Sequence, residues 1–161
     1  MSTSNKHAPY DPPHDAESLV LTWIRRAREA QIRHYAMADR LSACARYLGL
    51  AVIAITALTG TSAFVSLVTL AVSPGLRVVV GLTSMSAAVL ASLQTFLRYS
   101  ERAELHRNAA ARYGAVRRRL ETIHVDGARE EAMFSIDVVR DELDDIAQNA
   151  PHVPRRVMRT P

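Results

Sequence analysis

The chain has one cysteine, Cys44, in 161 residues, so no intrachain disulfide can form, which suits a reducing compartment. It has no glycine-rich phosphate loop, no paired cysteines and no two histidines at metal-ligand spacing. His7, His14, His34, His106, His124 and His152 are scattered instead. No polar constellation points to catalytic, cofactor-binding or metal-binding residues, so no cofactor and no enzyme activity are expected. Repeats and low-complexity blocks are also missing. The shortage with most consequence is of charge. Residues 47–97 contain one charged side chain, Arg77, while the other 110 residues hold 35 of the 36 charged side chains.

Arg77 lies beside Ser73, Pro74 and Gly75, where helix is hardest to continue because proline lacks an N–H and glycine lacks conformational restraint. Divided there, the stretch gives two uncharged runs, 47–72 and 78–97, of 26 and 20 residues. About twenty apolar helical residues cross a hydrocarbon core of roughly 30 Å, so each run is long enough to span a bilayer. Two adjacent spans satisfy their backbone in lipid only as helices. The competing reading, a buried hairpin of a soluble protein, needs a larger core than this length readily builds. The expected fold is an all-α membrane protein: a two-transmembrane helical hairpin with long helical extensions and a short C-terminal helix packing back.

Arginine placement sets the expected orientation. Arg28, Arg33, Arg40 and Arg46 precede the first run closely, and Arg98, Arg102, Arg107, Arg112 and Arg117 follow the second, against Arg77 alone in the hairpin loop. Positive residues stay in the cytoplasm, so both termini are expected there. The first apolar run begins after 46 charge-rich residues, so no signal peptide is expected. The net charge of +4 is segregated: residues 98–119 carry seven Arg against two Glu, and residues 120–149 carry two Arg against nine acids. Residues 150–161 add Arg155, Arg156 and Arg159. The basic blocks flank the membrane, where anionic head groups account for them; the partner is the lipid bilayer, not nucleic acid.

Residues 1–15 are polar and Pro-rich and read as a disordered tail; Asp15 or Ser18 is placed to cap the helix that follows. From Val20 the apolar pattern runs Trp23, Ala27, Ala30, His34, Met37, Leu41, Cys44 and Leu48, alternating steps of three and four, which is a heptad seam. It continues in phase into the first run, so one helix is expected over 18–72, cytoplasmic over 18–46. Phe96, Tyr99, Ala103, His106, Ala110 and Tyr113 form a second seam, extended by Val116, Leu120 and Ile123. The second span is expected to pass unbroken into a cytoplasmic helix over 98–124, with Gly114 costing about 1 kcal/mol. A helix over 129–149 carries the stripe Ala132, Ile136, Val139, Leu143 and Ile146, and residues 150–161 form a basic tail. The two seams suggest an antiparallel coiled coil, its helix-pairing residues Trp23, Ala30, His34, Met37, Leu41, Tyr99, His106, Ala110, Tyr113 and Leu120. A reversal at 73–75 allows paired residue numbers adding to about 143 or about 150. The latter is preferred and sets Leu41 against Ala110, Met37 against Tyr113 and Ala30 against Leu120. On the seams His34 and His106 read as pH-sensing groups or as polar contacts of a helix pair.

The runs themselves are rich in small and hydroxyl residues. Thr56, Thr59, Gly60, Ala63 and Ser66 line one face of the first, and Ser84, Ala87, Ala88, Ala91, Ser92 and Thr95 line the second. Such faces let membrane helices pack closely, and they would equally line an aqueous pore.

Trp23, the run of Ile32, Arg33, His34 and Tyr35, the two-span hairpin and the segment 95–121 together resemble the SLATT domain. The most specific positions are Phe96, Ser100, Ala103, His106, Arg107, Ala110 and Tyr113, and the likeness covers 16–149. SLATT proteins are bacterial two-transmembrane effectors associated with SMODS nucleotidyltransferases and SLOG nucleotide-sensing domains. The resemblance implies a homo-oligomeric, pore-forming or membrane-perturbing effector in nucleotide-signalled defence. It assigns no catalytic residues and implies a nucleotide-sensing or nucleotide-synthesising partner in trans. A structural membrane anchor or adaptor, docking a signalling partner through its cytoplasmic helices, is the alternative.

Overall fold

In the computed structural model, helix placement is described for residues 12–68, 73–126 and 130–154, and side-chain surroundings for 12–61, 73–125 and 136–154. The described chain is four helices: α1 (Ala16–Val68), α2 (Pro74–Leu97), α3 (Tyr99–Asp126) and α4 (Glu130–Asn149). It divides into two compact units. One takes α1 up to Ile32 and the chain from Ala109 to Ala150; the other takes Arg33–Asn108.

The starts of α1 and α2 have local causes. Asp15 caps α1 by accepting the Ser18 N–H on its carboxylate at 2.7 Å, and Ser18 Oγ accepts the Asp15 N–H at 3.2 Å. This reciprocal pairing satisfies two donors that a helix end leaves open. The backbone hydrogen bond from Ser18 holds the Asp15 carboxyl below its ordinary pKa. At α2, Ser73 is the N-cap and accepts the Leu76 N–H at 3.4 Å, with Pro74 at the first helical position. Proline needs no N–H partner there, so α2 starts ahead of the uncharged run and takes in Gly75 and Arg77.

The expected unbroken passage from the second span into the next helix is not found. Arg98 has φ 47° and ψ 41°, the left-handed conformation, and separates α2 from α3. A residue with a Cβ pays about 1–2 kcal/mol for that conformation, so nothing in the local sequence announces the break. The chain resumes helix at once, with the Arg102 N–H donating to the Arg98 carbonyl at 3.0 Å.

In the first unit, α4 packs back as its stripe predicts. Val139 and Ile146 are buried with Val20, Val116 and Leu120, and Trp23, Ile24, Tyr113, Ile123, Ile136 and Leu143 pack against them. Ala132 lies outside the residues whose side chains are described. Each fully buried aliphatic side chain contributes about 1.5–3 kcal/mol, more than the exposed ion pairs of Arg112 with Asp145 and Arg119 with Glu142, worth about 1 kcal/mol or less each. Gly114 has a use here: a Cβ on it would lie 2.8 Å from Gln31 Nε2.

In the second unit, α1, α2 and the start of α3 meet. Ala38 and Leu41 on α1, Ala87 on α2 and Ala103 on α3 are buried. Arg107 donates to Ser42 Oγ at 2.7 Å. A Cβ on Gly49 would lie 3.6 Å from Gln94 Nε2.

Within each unit the contacts run antiparallel and fix the register. His34 meets His106, Gly49 lies against Gln94, and Gln31 lies against Gly114; these residue numbers add to 140, 143 and 145. Arg107 with Ser42 adds to 149, but through the longest side chain of the set. The pairing is therefore near 143, not the preferred 150. Large-against-small alternation holds in both registers and could not choose between them. The histidine hydrogen bond and the opening at Gly114 do.

Candidate membrane surface and helix-pairing sites

The apolar runs are displayed rather than buried. Tyr47, Leu50, Ile53 and Leu58 on α1 are 62–75% exposed, and Leu82, Met85, Val89 and Phe96 on α2 are 55–82% exposed. Of the most apolar 18-residue window in each long helix, only 6% is buried. A core helix of a soluble protein would be mostly covered, and water does not tolerate contiguous apolar surface of this extent. Hydrocarbon is the solvent that fits.

The hydroxyls agree with that solvent. Thr56 donates to the Val52 carbonyl at 2.8 Å, Thr59 to Ile55 at 2.9 Å, Ser92 to Ala88 at 2.8 Å and Thr95 to Ala91 at 3.1 Å. Each bonds one turn back on its own helix, which leaves no O–H unsatisfied in lipid. Among the described residues the small-residue faces stay largely uncovered. Thr56, Gly60, Ser84, Ala88, Ala91, Ser92 and Thr95 are exposed, and Thr59 is half-buried. Ala63 and Ser66 lie outside the residues whose side chains are described. Ala88 and Ser92 floor an open groove of about 390 Å³ edged by Met85, Val89, Leu93 and Phe96. Of the small residues on α2, Ala87 is buried.

The helix-pairing candidates lie inward. Ala30, His34, Leu41, His106, Ala110 and Leu120 are buried, and Trp23, Met37, Tyr99 and Tyr113 are half-buried. In the second unit His34 Nδ1 and His106 Nδ1 are 3.0 Å apart, with ring centroids 5.2 Å apart and planes tilted by 42°. One ring nitrogen must donate and the other accept, so the two neutral imidazoles take opposite tautomers. Burial pushes the His34 pKa down to about 4, with His106 and Arg33 adding to the effect, and burial lowers His106 as well. The pair is a neutral polar contact at ordinary pH.

Two features had no signal in the sequence. One is the Arg107–Ser42 hydrogen bond, which joins α3 to α1 across 65 positions. The other is an open cleft of about 480 Å³ at the Arg98 break, lined by Ala45, Ala91, Gln94, Thr95, Tyr99 and Ser100, with Arg98 held to Glu101 at 2.6 Å. Among the described residues no three His, Cys, Asp or Glu side chains group as metal ligands.

Two displayed apolar helices, flanked in sequence by charged helical segments, define a two-span α-helical membrane protein. Residues 30–160 match the SMODS and SLOG-associating 2TM effector domain family 4, and the chain belongs to that family. Neither a curated protein nor a solved structure matches it.

Proposed function

We propose that the protein is an inner-membrane effector, both termini cytoplasmic, that assembles from several copies and forms a pore or disrupts the bilayer in a nucleotide-signalled bacterial defence or conflict system. The family supports the effector role: its members are two-transmembrane effectors associated with SMODS and SLOG partners. The observation that carries the rest is the exposure of Ala88, Ala91, Ser92 and Thr95 on a helix otherwise clothed in large apolar side chains. Small residues turned away from a helix's own chain offer close approach to another helix, and hydroxyls offer water a wall. Two spans cannot enclose an aqueous path, so conduction requires several copies. A nucleotide-sensing or nucleotide-synthesising protein in trans would supply the trigger.

Purified protein added to dye-loaded liposomes tests this directly. Release of dye that rises steeply with protein-to-lipid ratio is expected. Intact vesicles at all ratios, together with capture of a signalling protein by the extramembrane helices, would favour the anchor or adaptor role instead.

A further inference from the structure

The first unit presents two outward helix faces of matching spacing and opposite charge. On α1, Val20, Ala27 and Ala30 are buried, which turns Leu21, Arg25, Arg28 and Ile32 outward; Leu21 is 46% and Ile32 58% exposed. On α4, Val139 and Ile146 are buried, which turns Asp137, Asp141 and Asp144 outward. Both faces step by four and then three residues, the period of one helix stripe. Among the described residues no ion pair reaches Arg25, Arg28 or Asp144, and Asp137 and Asp141 share Arg140 at 3.4 and 3.6 Å. Each face points away from the same core, so one copy's two faces cannot meet each other.

We propose that the basic, partly apolar α1 face of one copy docks on the acidic α4 face of the next. This rests on the reading that copies assemble. The occupant is argued from charge complementarity and from level. Gln31 lies against Gly114, Arg112 against Asp145 and Arg119 against Glu142, so α1 and α4 both run antiparallel to α3 and Arg28 stands level with residues 140–144. A rotation axis parallel to α1 and α4 brings equal levels of this unit together in neighbouring copies. Arg25 then faces Asp141 and Arg28 faces Asp144. Contact between two different faces, repeated around an axis, closes a ring.

The test uses the full chain in detergent micelles, with oligomers counted by native mass spectrometry. Reversing one face, Arg25→Asp with Arg28→Asp or Asp141→Arg with Asp144→Arg, should raise the half-assembly concentration about tenfold or more, because like charges then face each other. Mixing the two reversed proteins should restore assembly, since each face meets an opposite charge only in the other protein; a misfolded variant would not be rescued. All four reversals in one chain should also recover. Cysteines at 28 and 144, on a Cys44→Ser background, should cross-link between chains more than cysteines at 28 and 137. If the wild type oligomerises and single-face reversals assemble equally well, this interface is wrong while assembly stands. A wild type that stays monomeric at every concentration overturns both.

Discussion

His34 and His106 share a hydrogen bond between their Nδ1 atoms, 3.0 Å apart and buried, joining α1 to α3 across 72 positions of sequence. Two polar rings in an otherwise Ala- and Leu-lined contact are tolerated because each satisfies the other. They also fix the level at which the two helices meet, since a shift of one turn would leave both nitrogens buried without this partner.

Acid should loosen the second unit. Above pH 6.5, the ordinary His value, folded and unfolded chains both carry neutral imidazoles and the pair contributes in full. As pH falls below 6.5 the unfolded chain takes up protons that the folded pair refuses. Stability therefore drops down to about pH 4, where His34 also protonates in the folded state, and then levels off. The slope is at most about 1.4 kcal/mol per pH unit for each histidine. Thermal unfolding of the full chain between pH 7.5 and 4.5 should show the loss, and replacing both histidines with Leu should flatten the profile. An unchanged profile in the double variant would assign the acid sensitivity elsewhere.

The α4 contact should depend on its apolar stripe. Ile146→Ala removes a side chain that is 1% exposed and should cost about 2–4 kcal/mol. Asp145→Asn breaks the exposed pair with Arg112 and should cost less than about 1 kcal/mol. Limited proteolysis of the α3–α4 segment ranks the two; faster cleavage in Asp145→Asn than in Ile146→Ala would reverse the assignment.

The register is open to covalent test. Cysteines replacing Gln31 and Gly114, in a Cys44→Ser chain, should cross-link within one molecule, because the glycine Cα sits beside the Gln31 side chain. A pair at 30 and 120 should not. Efficient closure of the second pair alone would restore the register near 150.

Assembly through the α2 groove predicts that Ala88→Leu fills the space beside Ser92 and weakens oligomers about tenfold, with a parallel fall in dye release. Val89→Leu, on the apolar edge of the groove, should change either little. Undiminished release by Ala88→Leu would remove this face from the pore.

Topology follows from nine arginines flanking the spans against Arg77 between them. Reporter fusions at residue 5 and residue 158 should both report cytoplasm, and one at residue 75 the opposite side. A periplasmic signal from either terminus would invert the orientation and the side from which a trigger acts.

By itself the sequence determined the spans and the buried faces. One charged group in residues 47–97 leaves the chain no solvent but lipid for that stretch, and three-four spacing dictates which side of each helix turns inward; the burial of Ala30, His34, Leu41, Ala103, His106 and Ala110 follows that spacing. Periodicity names a face but not a level, since sliding one seam past another by a heptad preserves every apolar match. Only the tertiary structure chose the level, through the His34–His106 bond and the room that Gly114 leaves for Gln31. The break at Arg98 was equally hidden, because an arginine enters the left-handed region against its own preference and only surrounding contacts can hold it there. The exposure of Ala88 and Ala91 was undecided for a related reason: small residues pack against any helix that comes close, and among the described residues that face stays open.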